Sequence, residues 1–314
     1  MHDITENNSI IKLENALYVV ATPIGNLNDI TIRALQTLAS ADFIICEDTR
    51  VSSILLHKFK ITKKKLIIYN DFSDKSTRYK ILNNILQGFS VAIISDAGTP
   101  LISDPGYKLV NFLRENSQKI ICIPGASALT ASLSISGIAC DNFLFIGFLP
   151  NTKISKENKL KSLPNNFSFV FFEVANRVVE TLQILAQHFS NRQICVAREL
   201  TKIHEEILFD SPQKILEILQ ANPQKIRGEF VIIVEKISKE QISFDPQEIG
   251  QIIINNINKN ISNKDIVNDI SNTYSINKKA VYQMVLNIKN SHHEKINKPK
   301  NSSPKIAKKI TKKS

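Results

Sequence analysis

The stretch that decides the fold is Val91-Ala92-Ile93-Ile94-Ser95-Asp96-Ala97-Gly98-Thr99-Pro100-Leu101-Ile102-Ser103-Asp104-Pro105-Gly106. It opens with an unbroken apolar run that is typical of a strand buried on both faces, and an amphipathic segment at 107–115 follows it. A strand, a loop and a helix in this order form one unit of a parallel α/β sheet. The loop at 96–106 exceeds the usual ~2–6 residues of such connections, and long loops in compact domains tend to be functional.

The same unit repeats on both sides of this stretch. Strand-like runs at 17–21, 43–46 and 66–69 are each followed by helical periodicity, at 30–39, 51–59 and 74–86. A fifth strand at 119–123 leads into a helix of small residues. These five units predict an N-terminal α/β lobe over residues 15–124, with a mainly parallel sheet.

A second α/β lobe is predicted over residues 125–237, with a mixed sheet. Five strand-like runs occur in it, and a polar, Lys-rich connector at 149–166 separates the first two. From residue 237 the composition shifts to Ile, Asn and Lys. Three short helices at 249–256, 263–271 and 278–288 predict a helical appendix over 246–290 whose spacing resembles a helix-turn-helix. The predicted strands of the lobe are 142–148, 167–172, 193–197, 205–209 and 228–235, and its helices are 177–188 and 212–220.

Charge is distributed unevenly along the chain. The 314 residues are 43% hydrophobic and carry a net charge of +11, which excludes a wholly disordered chain and indicates an anionic partner. The last 24 residues, 291–314, carry +7 of that charge and have the composition of a disordered basic tail. The remaining body is close to charge balance.

The cysteines and the N-terminal residues indicate the cellular compartment of the protein. Four cysteines form no CxxC pair, the N-terminal residues lack the basic and apolar regions of a signal peptide, and no apolar run reaches ~20 residues. We therefore expect a cytoplasmic protein with no membrane association. The six scattered histidines have no zinc-ligand spacing, so no metal is expected.

Three loops at predicted strand ends hold four of the nine glycines of the chain. They are Thr22-Pro23-Ile24-Gly25, residues 96–106, and Pro124-Gly125-Ala126-Ser127-Ala128. Ligands of parallel α/β sheets collect at these ends, and glycine allows the backbone to approach a ligand closely. Any one of these glycines also fits a tight turn, but the three loops together favour a binding cleft.

Other types of site match the sequence less well. A dinucleotide site requires GxGxxG, whereas the loop after the first strand has a single glycine. There is no GxxxxGK[ST] phosphate loop and no GxSxG nucleophile elbow. The small neutral residues of the loops favour hydrogen bonding to a ligand over a cation site.

The loop motifs, in this order, closely resemble the tetrapyrrole (corrin/porphyrin) methylase superfamily of S-adenosylmethionine-dependent enzymes. Within it, the chain is similar to the branch called ribosomal RNA small subunit methyltransferase I. The resemblance covers residues 15–236, and its motifs lie at 21–30, 47–50, 95–106, 124–128, 147–150, 197–202 and 225–229.

This resemblance implies two α/β lobes with S-adenosylmethionine in the cleft between them, and a homodimer. The implied reaction is methylation of the ribose 2′-hydroxyl of a decoding-centre cytidine in 16S rRNA of the small ribosomal subunit. The cofactor contacts of the family fall on Pro23, Ala97, Gly98, Thr99, Ile102, Ser127, Ala128, Glu173 and Leu200.

A general base would help to remove the proton of the ribose hydroxyl, and a substrate rich in phosphates requires basic contacts. Each candidate acid also fits a helix cap or a structural ion pair. The candidate acids are Asp104, Asp48, Glu47 and Asp71, and the candidate substrate contacts are Arg50, Arg177, Arg198 and Lys202.

Two alternative functions remain open at this stage. The same fold methylates a tetrapyrrole carbon or a diphthine-type protein target in other branches of the superfamily. A non-catalytic RNA-binding ribosome factor with a relic cleft is the other alternative, although the intact Ala97-Gly98-Thr99-Pro100 motif argues against it.

Overall fold

The structure is a computed structural model that describes residues 10–70, 72–237, 246–259, 261–274 and 276–296. The chain divides into two compact units, Met1–Lys236 and Ile237–Ser314. The first unit contains both α/β lobes. The second contains the C-terminal helices.

The N-terminal lobe is built on a five-stranded sheet in the order β3-β2-β4-β1-β5. All of its pairings are parallel, as the repeated strand-helix units predict. Ile44 and Ile45 are both fully buried and belong to different apolar clusters, because successive side chains point to opposite faces of the sheet. Its elements are β1 (Leu17–Val20), α1 (Ile32–Ser40), β2 (Phe43–Cys46), α2 (Thr49–Lys58), β3 (Lys65–Ile68), α3 (Lys75–Leu86), β4 (Val91–Ile93), α4 (Tyr107–Glu115) and β5 (Ile120–Ile123). The next helix, α5 (Ala128–Ile135), packs Leu133 against Val170 and Val231 of the second sheet.

The following lobe has a mixed sheet in the order β6-β7-β10-β8-β9. Only the pairing of β6 with β7 is parallel, and the other three are antiparallel. The predicted α/β class, with one parallel and one mixed sheet, is confirmed. The elements are β6 (Phe143–Phe148), α6 (Lys153–Lys161), β7 (Ser168–Val174), α7 (Ala175–His188), β8 (Ile194–Arg198), β9 (Glu206–Asp210), α8 (Pro212–Ala221) and β10 (Glu229–Val234).

The segment read from the sequence as a polar connector contains the helix α6. Thr152 caps this helix by accepting a hydrogen bond from the Ser155 amide. Its apolar content is low, and two side chains, Lys156 and Leu160, are fully buried. A helix that buries a lysine has little amphipathic signal, which explains why the hydrophobic pattern did not reveal it.

The C-terminal unit has its own apolar core, formed by three helices. They are α9 (Pro246–Asn258), α10 (Asn263–Tyr274) and α11 (Lys278–Ile296), and Ile253, Ile270 and Val281 lie at the centre of the core. The helix α11 continues to Ile296, so the first six residues of the segment expected to be a disordered tail are helical. The rest of that tail, 297–314, lies outside the described residues.

Candidate active site

A cavity of about 310 Å³ lies between the two sheets of the first unit. Its volume lies within the range of small-molecule sites. On the first-lobe side it is bounded by loops that follow parallel strands, where ligands of α/β sheets bind. The lining residues are Ile24, Glu47, Asp96, Ala97, Thr99, Ile102, Ser103, Asp104, Ser127 and Ala128 from the first-lobe side, with Phe148, Phe172, Glu173, Val174, Ala197, Leu200, Glu229, Phe230 and Val231 opposite.

The loop at 96–106 has an unusual backbone. Leu101 and Ser103 adopt φ values of 72° and 67°, in the left-handed region that non-glycine residues rarely occupy. Gly98, with φ of 78°, forms a two-hydrogen-bond bridge with Thr22 in the loop after β1. A Cβ atom at Gly98 would lie 3.2 Å from Cγ2 of Ile24. Such strain persists where the surroundings enforce it, and it is concentrated at functional sites.

Glu173 forms part of the opposite wall and is anchored by three side chains. Its Oε2 accepts a 2.7 Å hydrogen bond from the Thr181 hydroxyl, and its Oε1 lies 3.1 Å from Nε of Arg177. The Nζ atom of Lys156 lies 3.9 Å from Oε2. A buried carboxylate needs such compensation, so Glu173 is fixed in a single arrangement.

Two acids of the cavity, Asp104 and Asp96, have raised pKa values. The pKa of Asp104 is raised to about 6, mainly by partial burial and to a smaller extent by the nearby carboxylates of Glu47, Asp96 and Glu229, against the lowering effect of the Ser95 hydroxyl. The pKa of Asp96 is also raised, first by burial and then by Asp48. A carboxyl with a pKa near neutrality suits general base catalysis.

The other three candidate acids have different positions. Glu47 lines the cavity. Asp48 caps α2 by accepting a 2.8 Å hydrogen bond from the Arg50 amide and forms a 2.6 Å ion pair with the Arg50 side chain. Arg50 thereby lowers the pKa of Asp48 to about 2. Asp71 lies outside the described residues.

Seven of the nine residues proposed to contact the cofactor line the cavity. The other two, Pro23 and Gly98, belong to the two bridged loops that support Ile24 and Thr99. The sequence motifs are therefore brought together from the three loops that follow β1, β4 and β5, from β7, and from the loop after β8. The seven are Ala97, Thr99, Ile102, Ser127, Ala128, Glu173 and Leu200.

The four candidate substrate contacts are not among the residues that line the cavity. Arg50 has a side chain that is 87% exposed. Arg177 is directed inward, where it donates to the carbonyl oxygens of Leu149 and Pro150. Arg198 is buried and pairs with Glu206 at 3.5 Å, and Lys202 bridges two glutamates.

Comparison with known proteins identifies the family. The sequence profile described as Tetrapyrrole (Corrin/Porphyrin) Methylases matches residues 16–240. The chain belongs to the tetrapyrrole methylase family. This methylase is 42% identical over 281 residues to the protein named ribosomal RNA small subunit methyltransferase I of Rickettsia prowazekii (strain Madrid E), an alignment that covers 87% of this chain and 97% of the relative. It is 45% identical over 219 residues to the protein of that name from Thermotoga maritima (strain ATCC 43589 / DSM 3109 / JCM 10099 / NBRC 100826 / MSB8), covering 69% and 97% of the two chains.

Solved structures agree with the fold of the methylase. The methyltransferase CobJ superposes with a TM-score of 0.52 at 19% identity, over 70% of this chain and 94% of the other. At this identity the likeness supports the fold alone.

Family membership confirms the predicted cofactor of the methylase, S-adenosylmethionine. The cavity fits this molecule chemically. Ile24, Phe172 and Leu200 offer apolar surface for an adenine ring, and Thr99 and Ser127 offer hydroxyl groups for hydrogen bonds. The acids of the cavity suit the positive charge of a sulfonium group. A side chain at Gly98 would press on Ile24, which lines the cavity.

Several wall residues of the methylase were given no role in the site by the sequence analysis, although Glu229 belongs to the motif at 225–229. Phe172 and Glu229 reach the cavity because β10 pairs antiparallel with β7, which places Glu229 opposite Val174. The start of one strand therefore meets the end of the other. Non-local pairing of this kind leaves no short-range signal in a single sequence.

Among the described residues of the methylase, no helix is long and apolar enough to cross a membrane. The same part of the chain contains no cluster of three or more His, Cys, Asp or Glu side chains suited to a metal ion.

Proposed function

We propose that this chain methylates the ribose 2′-hydroxyl of a decoding-centre cytidine in 16S rRNA of the small ribosomal subunit. The names of the relatives indicate ribosomal RNA as the substrate, and the alignments cover 97% of the two described above. The observation within the site that supports oxygen methylation is Asp104, a half-buried carboxyl with a pKa of about 6 in the wall of the cavity.

Asp104 is proposed to accept the proton of the ribose hydroxyl. A hydroxyl oxygen is a poor nucleophile until its proton is removed, and a base is most effective when its pKa lies near the working pH. With a pKa of about 6, Asp104 is ionised in about nine of ten molecules at pH 7. Asp48 is less suited, because Arg50 holds its pKa at about 2.

The other residues of the cavity are proposed to position the two reactants and to exclude water. When bound, S-adenosylmethionine supplies an electrophilic methyl group. On one side, the loop at 96–106 would hold it through Ala97, Thr99 and Ile102. Ser127 and Ala128 would contact it from the loop after β5. Glu173 and Leu200 would close the opposite side. Alignment of two reactants in a dry cleft supplies much of the catalysis for such a transfer.

The RNA and a second copy of the chain are the proposed partners. Arg50 is exposed beside the candidate site, where a guanidinium held by Asp48 can contact a phosphate. The part of the basic tail at 297–314, which lies outside the described residues, would add a salt-dependent attraction to RNA. We also propose that the protein is cytoplasmic and that it forms a homodimer, as the resemblance to the family implies.

The deciding experiment is ribose-methylation mapping of 16S rRNA from cells that lack this gene. We expect one decoding-centre cytidine to lose its mark, and we expect the unaltered gene to restore it. Gly98→Arg and Asp104→Asn should fail to restore it, although both proteins accumulate. Survival of every 2′-O-methyl mark in the deletion strain would contradict the proposed function.

A further inference from the structure

A second groove, with a volume of about 660 Å³, lies between the lobes of the first unit and is separate from the cofactor cavity. One side is formed by the loop after β1, and the other by the loop between β8 and β9. The residues that line it are Gly25, Asn26, Leu27, Asn28, Glu199, Thr201, Lys202, Ile203 and His204.

The β8–β9 loop is rigidly braced in an unusual conformation. Glu199 and Thr201 have φ values of 52° and 64°, and the Thr201 amide donates a 2.6 Å hydrogen bond to Oε2 of Glu205. The Asn26 amide donates a 3.0 Å hydrogen bond to the Thr201 hydroxyl across the lobes. Gly25 leaves room for this contact, since a Cβ atom there would lie 2.8 Å from that hydroxyl oxygen.

This braced loop carries an apolar side chain into solvent. Ile203 is 98% exposed, and Leu27, on the other side of the same groove, is 40% exposed. Two exposed aliphatic side chains on opposite walls provide apolar contact for a flat group between them. A loop held in a costly conformation to present Ile203 in this way indicates a ligand.

The charges of the groove are already paired. The Nζ atom of Lys202 lies 2.9 Å from Oε1 of Glu199 and 2.8 Å from Oε2 of Glu229. With two carboxylates on one ammonium group, the groove does not attract a phosphate. The carboxamides of Asn26 and Asn28 and the ring nitrogens of His204 instead offer donors and acceptors that match base edges.

The groove adjoins the cofactor cavity along both loops. Ile24 and Leu200 line the cavity, and the next residues in sequence, Gly25 and Thr201, line the groove. An RNA strand whose target ribose enters the cavity would therefore place a neighbouring nucleotide in the groove. We propose that this groove binds an unpaired nucleobase next to the methylated nucleotide, between Leu27 and Ile203. This inference rests on the proposed function.

The test uses the full chain, S-adenosylmethionine and undermethylated small ribosomal subunits from cells that lack this gene. Ile203→Ser and Leu27→Ser are compared with Ile154→Ser, which changes an isoleucine that is 73% exposed on α6 and does not line the groove. We expect the KM for subunits to rise about tenfold in both groove variants. The kcat, the Kd of S-adenosylmethionine and the melting temperature should stay within error of the control.

A photoreactive benzophenone side chain at position 203 provides a second readout. After irradiation with the same subunits, reverse transcription should stop at an unpaired nucleotide within a few positions of the methylated one. Crosslinks restricted to ribosomal protein would overturn the inference.

The outcomes separate the groove from the proposed function. Normal methylation with an unchanged KM in both groove variants would overturn the base-binding groove alone. No methyl transfer by the unaltered enzyme would overturn the proposed function. Conversion of a dimer to a monomer by Ile203→Asp, measured by sedimentation, would instead assign Ile203 to a contact between two copies and would overturn the inference.

Discussion

The Nζ atom of Lys156 lies 3.9 Å from Oε2 of Glu173, and neither side chain is exposed to solvent. The same ammonium group donates to Thr181 at 3.0 Å and to Glu180 at 2.7 Å. A lysine in a segment of high polarity thus supports the wall of the cavity from behind.

Removal of the Lys156 ammonium should destabilise the fold. Lys156→Met leaves the buried Glu173 with Arg177 as its nearest cation, and breaking a buried pair costs about 3–5 kcal/mol. We expect a loss of about 3 kcal/mol in the free energy of unfolding, measured with urea. Lys159→Met, at an exposed position of the same helix, should change it by less than about 0.5 kcal/mol. Equal effects of the two substitutions would contradict the role of the buried pair.

Methyl transfer should depend on the ionisation of Asp104. Because its pKa is about 6, kcat/KM should rise about tenfold per pH unit below pH 6 and level off above pH 7. Asp104→Asn should lose at least 100-fold in kcat and should lose this acidic limb. If Asp104→Asn keeps the acidic limb of the pH profile, the titration belongs to another group. The matched control is Glu47→Gln, which changes another acid of the same cavity.

The same substitution should stabilise the protein. The pKa of Asp104 is raised in the folded state, so the folded protein binds more protons than the unfolded chain between about pH 4 and pH 6, and stability falls as the pH rises through that window. At pH 7 the ionised carboxyl costs roughly 1–2 kcal/mol, allowing for its partial contact with solvent. Asp104→Asn should recover this amount at pH 7 and should give no gain at pH 3.5, as measured by urea unfolding at both pH values.

Gly98 and Gly88 provide a matched pair for cofactor binding. Both have positive φ, 78° and 93°, so an alanine costs roughly 1–2 kcal/mol of backbone strain at either position. At Gly98 the new Cβ would also lie 3.2 Å from Ile24, whereas at Gly88 nothing lies within 4 Å. Titration calorimetry should show S-adenosylmethionine binding weakened at least tenfold in Gly98→Ala and unchanged in Gly88→Ala. Equal affinities would place the cofactor away from this loop.

Much of the site could be predicted from particular residues. The eleven residues at 96–106 have the length, glycine content and position of a functional loop, and the cavity includes six of them. Local backbone preference and hydrophobic period are properties of adjacent residues, so a single sequence reveals them. The position of the Arg177 side chain could not be predicted in this way, because its ion pair with Glu173 depends on where α7 packs.

By itself, the sequence determined the parallel sheet of the first lobe, the three glycine-containing loops that line the cavity and the C-terminal helices, because each depends on short-range patterns of apolar residues, glycine and proline. The tertiary structure alone decided which side chains meet. Antiparallel pairing of β10 with β7 brings Glu229 into the cavity, and partial burial, with three neighbouring acids, raises the pKa of Asp104. Packing also turns Lys156 inward and leaves Ile203 exposed on a braced loop. Electrostatic coupling and burial act between groups that are distant along the chain, so only the folded arrangement specifies them.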